Sequence, residues 1–298
     1  MPAEILDGKK IAGEIQSEIK QRVADFVSQG HDAPKLAAVL VGEDPASQVY
    51  VRNKERACKR AGIQSELHLM SVESTTEQVL AKVNELNEDD AVNGILVQLP
   101  LPDDVDTQIV LDAVLPIKDV DAFHPHNVGL ISQERPCFLP CTPHGILQML
   151  SRYGISSSGK HVVVIGRSDI VGKPMGMMMT GKGVGLGGDV ANATVTICHS
   201  RTKDLQSFAQ MADILIAAIG KPKFVTREMV KPGAVVVDVG INRTDEGLVG
   251  DVDFEAVCEV ASYVTPVPGG VGPLTVTMLL ENTLAAAKIQ HQAQTATA

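Results

Sequence analysis

Short aliphatic runs that end at glycine or proline alternate with helical patterns along nearly the whole chain. Runs that are apolar at every position are typical of parallel strands, because helices cover both faces of a parallel sheet. The alternation therefore predicts an α/β fold with parallel strands. The chain has 298 residues, a length that suits one large domain or two ordinary ones.

The first half of the chain has the pattern of a small α/β unit. Its helix after the first strand has clear ends, because Asp44 and Pro45 are typical of a helix start and Gly62 of the residue after a helix. A loop-rich stretch at 119–140 separates the last two predicted elements. Strands are predicted at 36–41, 66–70 and 92–98, and helices at 45–61, 76–86 and 142–152.

After a linker at 153–159, the pattern restarts as a second α/β series. Strands are predicted at 162–165, 193–198, 214–218, 234–239 and 262–264, with helices at 174–180, 205–211 and 226–230. Such a series predicts a doubly wound sheet of its own. The tail is predicted to be helical over 273–289 and frayed over 292–298.

Charge and composition narrow the functional classes. The chain has 26 basic and 36 acidic residues, so its net charge is −10. An acidic surface repels phosphate backbones and disfavours general nucleic-acid binding, although a local basic pocket could still hold one phosphate. Aromatic residues make up 3% and tryptophan is missing, which predicts an aliphatic core.

The cysteines and the N-terminus favour a cytoplasmic location. Five cysteines occur without any CxxC pair, which is typical of free thiols in a reducing compartment. We expect them to be small core residues. Neither a signal peptide nor an apolar run of about 20 residues is visible, so no membrane segment is expected.

A strand–turn–helix at the start of the second series is a candidate cofactor site. Gly166 follows the strand directly, and Gly172 would let the next helix approach closely, so that its N-terminus could hold a pyrophosphate. The spacing departs from G-x-G-x-x-G because Ser168 stands at the middle position. An ordinary strand–turn–helix without a ligand remains an alternative.

The end of the next predicted strand indicates which dinucleotide would bind. An NAD site usually has an acidic residue there that accepts from the ribose 2′-hydroxyl. This chain has Ser200 and Arg201 instead, which with Arg167 would suit a 2′-phosphate. The sequence therefore favours NADP, although Arg201 could also be a solvated surface charge.

The helix at 45–61 presents Ser47, Tyr50 and Lys54 on one face, because they are three and four residues apart. A Tyr/Lys pair is also common on solvated helices. Gln98 ends a predicted parallel strand, where α/β sheets bind ligands, and it could converge with Lys54 on one cleft. A neutral amide would hydrogen-bond the amine without fixing its charge, which suits a lysine that exchanges protons.

Two Pro-flanked segments are further candidates. The segment at 119–126 contains two aspartates and two histidines, which could bind zinc; alternatively, Asp121 could accept two N–H groups of a 2-amino-4-oxo heterocycle. The segment at 265–275 is rich in proline and glycine and could form a rigid wall between two domains, or a simple linker. A glycine-rich stretch at 181–192 is predicted to be a surface loop.

Five motifs together indicate a family. In chain order they are Asp44-Pro45-Ala46-Ser47-x-x-Tyr50-Val51-x-x-Lys54, Gly94-Ile95-Leu96-Val97-Gln98-Leu99-Pro100-Leu101-Pro102, Asp119-Val120-Asp121, Gly166-Arg167-Ser168-x-Ile170-Val171-Gly172-x-Pro174 and Pro266-Val267-Pro268-Gly269-Gly270-Val271-Gly272-Pro273. The chain closely resembles the bifunctional methylenetetrahydrofolate dehydrogenase/methenyltetrahydrofolate cyclohydrolase family of the FolD type, over nearly its whole length.

The resemblance implies oxidation of 5,10-methylenetetrahydrofolate by NADP+ and hydrolysis of the methenyl product to 10-formyltetrahydrofolate, within one-carbon metabolism and purine biosynthesis. It implies a catalytic folate-binding domain at 1–143 plus 271–298 and a Rossmann-like NADP-binding domain at 144–270, with the C-terminal helix returning to the first domain. It also implies a cytoplasmic homodimer that uses tetrahydrofolate derivatives and has no metal, nucleic-acid or membrane partner.

The resemblance also assigns roles to individual residues. The implied catalytic residues are Lys54, Gln98, Tyr50 and Asp121. The implied substrate-binding residues are Ser47, Tyr50, Asp121, Pro268, Gly269 and Thr275. The implied cofactor-binding residues are Gly166, Arg167, Ser168, Ile170, Val171, Gly172, Ser200, Arg201 and Ile241.

The chain departs from the family pattern at two positions within its motifs. Ala122 replaces a usual glycine, which is expected to tighten the Asp121 loop, and Leu274 replaces a common methionine. Two rival functions remain at this point: a dehydrogenase for another small substrate, and a dinucleotide sensor without catalysis. The other dehydrogenase would not need Tyr50, Lys54 and Asp121 together. A sensor would be expected to lack Lys54 or Gln98, and both are present.

Overall fold

The aliphatic runs pair in parallel in two sheets, as the computed structural model shows for residues 2–183, 189–245 and 247–297. The strands are β1 (Glu4–Ile5), β2 (Lys35–Val41), β3 (Gln64–Met70), β4 (Gly94–Val97), β5 (His161–Ile165), β6 (Thr194–Cys198), β7 (Ile214–Ala217), β8 (Val235–Asp238), β9 (Asn242–Thr244), β10 (Gly247–Val249) and β11 (Tyr263–Val264). The helices are α1 (Gly8–Ser28), α2 (Pro45–Ala61), α3 (Thr76–Glu88), α4 (Thr107–Ala113), α5 (Pro125–Ser132), α6 (Cys141–Arg152), α7 (Gly172–Thr180), α8 (Leu205–Gln210), α9 (Phe254–Cys258) and α10 (Val271–Thr297), with a 3₁₀ turn at Arg227–Met229.

The chain divides into two units. One consists of Met1–Gly13, Ile131–Arg135 and Pro140–Thr275, and the other of Glu14–Leu130, Pro136–Leu139 and Val276–Ala298. The functional boundaries given above for the folate and NADP domains stay a prediction.

A three-stranded parallel sheet in the order β3-β2-β4 forms the centre of the second unit. Aliphatic side chains of β2, α3 and β4 bury one another, among them Val39, Val83 and Ile95. The C-terminal helix belongs to this unit from Val276 onward, and Asn282 of α10 donates hydrogen bonds to Val120 O and Leu139 O. The predicted return of this helix is therefore confirmed.

A six-stranded parallel sheet in the order β1-β11-β8-β7-β5-β6 forms the centre of the first unit. The chain crosses from β6 on one side of β5 to β7 on the other. This reversal of strand order opens a crevice at the carboxyl end of β5, which is where doubly wound sheets bind ligands. The predicted α/β class is confirmed in both units.

Several elements differ from the sequence predictions. Helices α1, α4, α5 and α9, strand β1 and the β9–β10 hairpin were not predicted. The helix predicted at 226–230 is only a 3₁₀ turn, and the tail predicted to fray remains helical through Thr297. Cys137 is exposed, which corrects the expectation that every cysteine is a core residue. Part of the glycine-rich stretch, 184–188, lies outside the described residues. No helix among those described is long and apolar enough to cross a membrane.

Candidate active site

Lys54 on α2 and Gln98, directly after β4, form a hydrogen-bonded pair. The Lys54 Nζ donates to Gln98 Oε1 at 3.0 Å, and Lys54 is only 8% exposed. Gln98 Nε2 donates to Leu99 O at 2.6 Å, which turns the amide so that its oxygen faces the amine. The lysine therefore meets a neutral acceptor that is itself held in place.

Tyr50 and Ser47 lie on the same helix as Lys54. The Lys54 Nζ is 5.5 Å from the centroid of the Tyr50 ring, within the range of a cation–π contact. Burial raises the pKa of Tyr50, so its phenol stays neutral. Ser47 is buried, and its backbone N–H donates to Asp44 Oδ2 at 2.7 Å, which fixes the first turn of α2. The helix start thus positions the side chains one and two turns later.

Asp121 lies on a loop that Asp119 organises. The buried Asp119 carboxylate accepts hydrogen bonds from Phe123 N at 3.3 Å, His124 N at 2.9 Å and Asn127 Nδ2 at 2.8 Å. Burial raises the pKa of Asp119, although these hydrogen bonds act in the opposite direction. The loop is built around this carboxylate, and sequence reasoning assigned it no such role.

The same loop is anchored beside β4 and α3. Ile95 N donates to Lys118 O at 2.8 Å. The Lys118 ammonium group donates hydrogen bonds to three backbone carbonyl oxygens at the end of α3. The carbonyls at a helix C-terminus lack helical partners and carry partial negative charge, so they bind a cation well. Burial lowers the pKa of Lys118. The loop of Asp121 is therefore attached along the strand after which Gln98 lies.

Ala122, next to Asp121, has a left-handed backbone with φ +60°, and it is fully buried. An alanine in this conformation costs roughly 1–2 kcal/mol relative to the right-handed helical region, whereas glycine adopts it readily. Ala122 stands where the family pattern usually has glycine, and its backbone has the conformation that glycine adopts readily. Its effect on the Asp121 loop stays a prediction.

Two of the acidic and histidine side chains of 119–126, Asp119 and His124, hydrogen-bond within the loop itself. His124 Nδ1 accepts a hydrogen bond from His126 N at 3.0 Å, and Asp119 is used as described above. Over residues 2–183, 189–245 and 247–297, no three His, Cys, Asp or Glu side chains are grouped so that they could hold a metal ion. The zinc alternative has no support from the described residues.

The turn after β5 in the other unit is a close-packed cradle of backbone. Gly166 has φ +133°, and a Cβ on it would lie 2.2 Å from Ala218 O. A Cβ on Gly172, at the start of α7, would lie 2.3 Å from Gly166 O. Ser168 Oγ accepts hydrogen bonds from Val171 N and Gly172 N. No larger residue fits at either glycine without displacing backbone atoms, and the role of this turn in binding a dinucleotide phosphate stays a prediction.

The turn after β6 provides hydroxyl and guanidinium groups. His199 N donates to Thr202 Oγ1 at 2.8 Å, and Arg201 N donates to His199 Nδ1 at 3.1 Å, so a tight turn presents Ser200 and Arg201 to solvent. The residues 198–202 include no carboxylate. These groups fit a 2′-phosphate better than a bare ribose hydroxyl.

The remaining predicted cofactor and substrate residues are spread along this unit. Ile170 and Ile241 are 39% and 50% exposed, and Val171 is buried. In the Pro/Gly segment, Lys9 N donates to Gly269 O at 3.1 Å, and Thr275 Oγ1 lies 2.9 Å from Thr142 Oγ1. Pro268 is exposed at a turn before α10. The roles assigned to all these residues stay predictions.

Two buried aspartates that sequence reasoning missed, Asp238 and Asp251, also lie in the first unit. Each follows or ends a strand, and each is close in sequence to a glycine. That signal was present in the sequence, but an acidic residue beside a glycine is also typical of an ordinary turn.

Comparisons with known proteins identify the family. The catalytic domain of the tetrahydrofolate dehydrogenase/cyclohydrolase family matches residues 6–121, and its NAD(P)-binding domain matches residues 140–291. The chain belongs to this family. A relative from Rhodopirellula baltica, the bifunctional protein FolD, is 64% identical over 296 residues, which is 97% of this chain and 99% of that protein.

Two solved structures of the family are similar in fold. The bifunctional FolD enzyme of Campylobacter jejuni has a TM-score of 0.89 and 46% identity, over 96% of this chain and 99% of that one. The Trypanosoma brucei FolD, described in complex with NADP cofactor and an inhibitor, has a TM-score of 0.89 and 37% identity, over 98% and 99%.

Proposed function

We propose that this protein oxidises 5,10-methylenetetrahydrofolate to the 5,10-methenyl form with NADP+ and then hydrolyses that product to 10-formyltetrahydrofolate. Family membership supports both reactions, since close relatives are bifunctional FolD proteins. The observation that carries the proposal is the hydrogen bond from the buried Lys54 to the half-buried Gln98, beside Tyr50. A dehydrogenase for another small substrate would not need Tyr50, Lys54 and Asp121 together.

Hydrolysis requires proton transfers that Lys54 can perform. As water adds to the methenyl carbon, the Lys54 amine accepts one of its two protons. As the bond from that carbon to N5 then breaks, the added hydroxyl loses its proton to form the formyl C=O, N5 takes up the proton that the Lys54 ammonium returns, and the formyl group stays on N10. One proton is released to solvent overall. Gln98 holds the amine without adding a negative charge, so both protonation states of Lys54 remain accessible. Tyr50 provides an aromatic face on which the folate ring can stack, and Asp121 is assigned to its amino and ring N–H groups.

The oxidation depends more on position than on acid–base chemistry. When bound, the nicotinamide supplies the hydride acceptor. The cradle of Gly166 and Gly172 suits the pyrophosphate, and Ser200, Arg201 and Arg167 would hold the 2′-phosphate. Ile241 is assigned to the nicotinamide side. This set of groups favours NADP over NAD.

The proposal includes a setting for the enzyme. We infer a cytoplasmic homodimer that acts on tetrahydrofolate derivatives in one-carbon metabolism and purine biosynthesis and has no nucleic-acid or membrane partner. Its acidic net charge of −10 supports the first exclusion. Sedimentation of the purified chain would test the dimer.

The decisive experiment combines protein, 5,10-methylenetetrahydrofolate and NADP+, and follows the absorbance of NADPH and of the methenyl compound together with the formyl product. Formation of all three supports both activities, whereas NADPH without formyl product would leave only a dehydrogenase. The Lys54→Met variant is expected to lose hydrolysis of added methenyltetrahydrofolate to the spontaneous rate. Hydrolysis well above that rate in this variant would refute the role of Lys54.

A further inference from the structure

Two buried carboxylates lie at the carboxyl edge of the six-stranded sheet. Asp238 is the last residue of β8, in register with Ala217 at the end of β7, and it is 3% exposed. Asp251 follows β10 and is completely buried. Neither residue belongs to the proposed chemistry, and buried carboxylates are retained only where they are well hydrogen-bonded.

The Asp251 carboxylate holds the loop after β7 in place by hydrogen bonds. Its Oδ2 accepts hydrogen bonds from Ile219 N at 2.7 Å and Gly220 N at 2.9 Å, and its Oδ1 accepts from Lys221 N at 2.8 Å. Oδ1 also accepts from Asn242 Nδ2 at 2.9 Å. One carboxylate thus fixes three consecutive backbone amides after β7 and a side chain in the segment after β8.

The Asp238 carboxylate holds the segment after β8 in place by hydrogen bonds. Its Oδ1 accepts from Gly240 N at 3.0 Å and from Asp251 N at 2.9 Å, and its Oδ2 accepts from Val252 N at 2.9 Å. It therefore ties both ends of the β9–β10 hairpin together. Burial raises the pKa of Asp238 to about 6, so this arrangement is maintained against a cost in desolvation.

The two carboxylates interlock with glycines. A Cβ on Gly240 would lie 2.2 Å from Asp251 Oδ1, and a Cβ on Gly250 would lie 1.8 Å from Asp238 Oδ2. Each carboxylate therefore packs directly against a backbone that only glycine can provide. The spacing between the two loops is fixed by these contacts.

The loops held in this way border the crevice of the sheet. The loop after β7 continues from Ala218, whose carbonyl oxygen abuts Gly166 in the cofactor cradle. The segment after β8 contains Ile241, which is 50% exposed next to the buried Gly240. Ligands of doubly wound sheets bind outside these strand ends.

We propose that Asp238 and Asp251 are positioning residues that hold the loops after β7 and β8 in the geometry that receives the nicotinamide half of the cofactor. The proposal rests on the proposed dehydrogenase function. It assigns no contact with the reacting atoms to either carboxylate. Asp251 acts through the backbone of Ile219–Lys221 and the side chain of Asn242, and Asp238 acts through the backbone amides of Gly240, Asp251 and Val252.

The test uses the full-length variants Asp251→Asn and Asp238→Asn. An amide of the same size turns one acceptor into a donor, which then faces a backbone N–H or the Asn242 amide. We expect the KM for NADP+ to rise about 10- to 100-fold, since small displacements of positioning groups have effects of this size. Hydrolysis of added methenyltetrahydrofolate without NADP+ should stay within about twofold, because Lys54 and Gln98 belong to the other unit.

Asp213→Asn is the matched control. Asp213 precedes β7 at the amino edge of the same sheet, where it accepts from His161 N at 2.9 Å and pairs with Lys231. Its replacement makes the same chemical change at a more exposed carboxylate, at the opposite edge of the sheet from the strand ends in question, so the KM for NADP+ should not change. Asn242→Ala, which removes only one donor to Asp251, should raise that KM about threefold and serves if the aspartate variants do not fold.

The outcomes separate the two proposals. If the wild-type enzyme reduces NADP+ but Asn242→Ala and a folded Asp251→Asn bind NADP+ with unchanged Kd, the positioning role is overturned. A parallel loss of methenyl hydrolysis in Asn242→Ala would also overturn it, because that result indicates general unfolding. If the wild-type enzyme itself fails to reduce NADP+, the dehydrogenase function is wrong.

Discussion

Replacing Gln98 by glutamate tests the claim that the lysine needs a neutral partner. The substitution preserves side-chain length and puts a negative charge where Gln98 Oε1 now lies, 3.0 Å from the Lys54 Nζ. At that separation the attraction between unit charges ranges from about 1.4 kcal/mol in water to about 5.5 kcal/mol at an effective dielectric constant of 20. Lys54 is 8% exposed, so the environment lies between these limits.

A value of about 3 kcal/mol would lower the fraction of neutral Lys54 amine roughly 100-fold at a given pH, because each 1.4 kcal/mol is a factor of ten. The rate of methenyl hydrolysis should fall by a similar factor near neutral pH. It should recover as the pH rises, so that the ascending limb of the pH–rate profile moves to higher pH by about two units. The oxidation should be affected less, because it does not require the amine to accept a proton.

The assay follows the loss of methenyl absorbance across neutral and alkaline pH, with Gln98→Met as the control. Methionine has a similar length, carries no charge and cannot hydrogen-bond strongly, so it should lower the rate without moving the profile. A Gln98→Glu enzyme that hydrolyses at nearly the wild-type rate, with the ascending limb of its profile at the wild-type pH, would refute the reasoning.

Three further changes have definite expected outcomes. Gly172→Ala should raise the KM for NADP+ more than tenfold and lower the free energy of unfolding by about 1–3 kcal/mol, because the added Cβ would lie 2.3 Å from Gly166 O. The rate of NADPH formation measures the KM, and equilibrium unfolding measures the stability. The raised pKa of Asp238, about 6 against an ordinary 3.8, means that the folded state binds the proton more tightly. The stabilising contribution of protonated Asp238 is present below pH 4 and is lost as the pH rises through 6, by about 3 kcal/mol in total. If the free energies of unfolding of wild type and Asp238→Asn have the same pH dependence over this range, the prediction is contradicted. Ala122→Gly relieves the left-handed strain but loses a buried methyl group, so the free energy of unfolding should change by less than about 1 kcal/mol. The Asp121 loop should become looser, which raises the KM for folate a few-fold in steady-state assays. An unchanged KM would show that Ala122 does not tighten the loop.

The sequence predicted the parts of the fold that have a local signal. Strands β2, β4, β5, β7 and β8 are apolar at nearly every position, and each was predicted within a few residues. Helix α1 was missed, although its buried Ile11, Ile15, Ile19 and Val23 recur every four residues, which is the spacing of one helical face. Strand β1 has two residues and forms only by pairing with β11, so nothing local predicts it.

The same distinction applies to the site. Lys54 and Tyr50 share a helical face by spacing, and Gln98 follows a buried strand, so their meeting could be expected from topology. The role of Asp119 depends on amides up to eight residues away, one of them on a side chain of α5. Asp238 and Asp251 require two loops to converge at a sheet edge. Such contacts exist only in the folded chain, and no window of sequence contains them.

The chain uses amide and carboxylate side chains in physically opposite ways at its two candidate sites. Beside Lys54 it has a neutral glutamine, because a carboxylate there would hold the ammonium form and prevent proton exchange. Asp251, by contrast, faces four neutral N–H donors, which stabilise its charge without any need for a cation. If a lysine side chain replaced these N–H donors as the partner of Asp251, the position of the loop would depend on a long flexible side chain. A carboxylate bound to consecutive backbone amides fixes the backbone itself, and that is what a loop must have in order to receive a rigid ring.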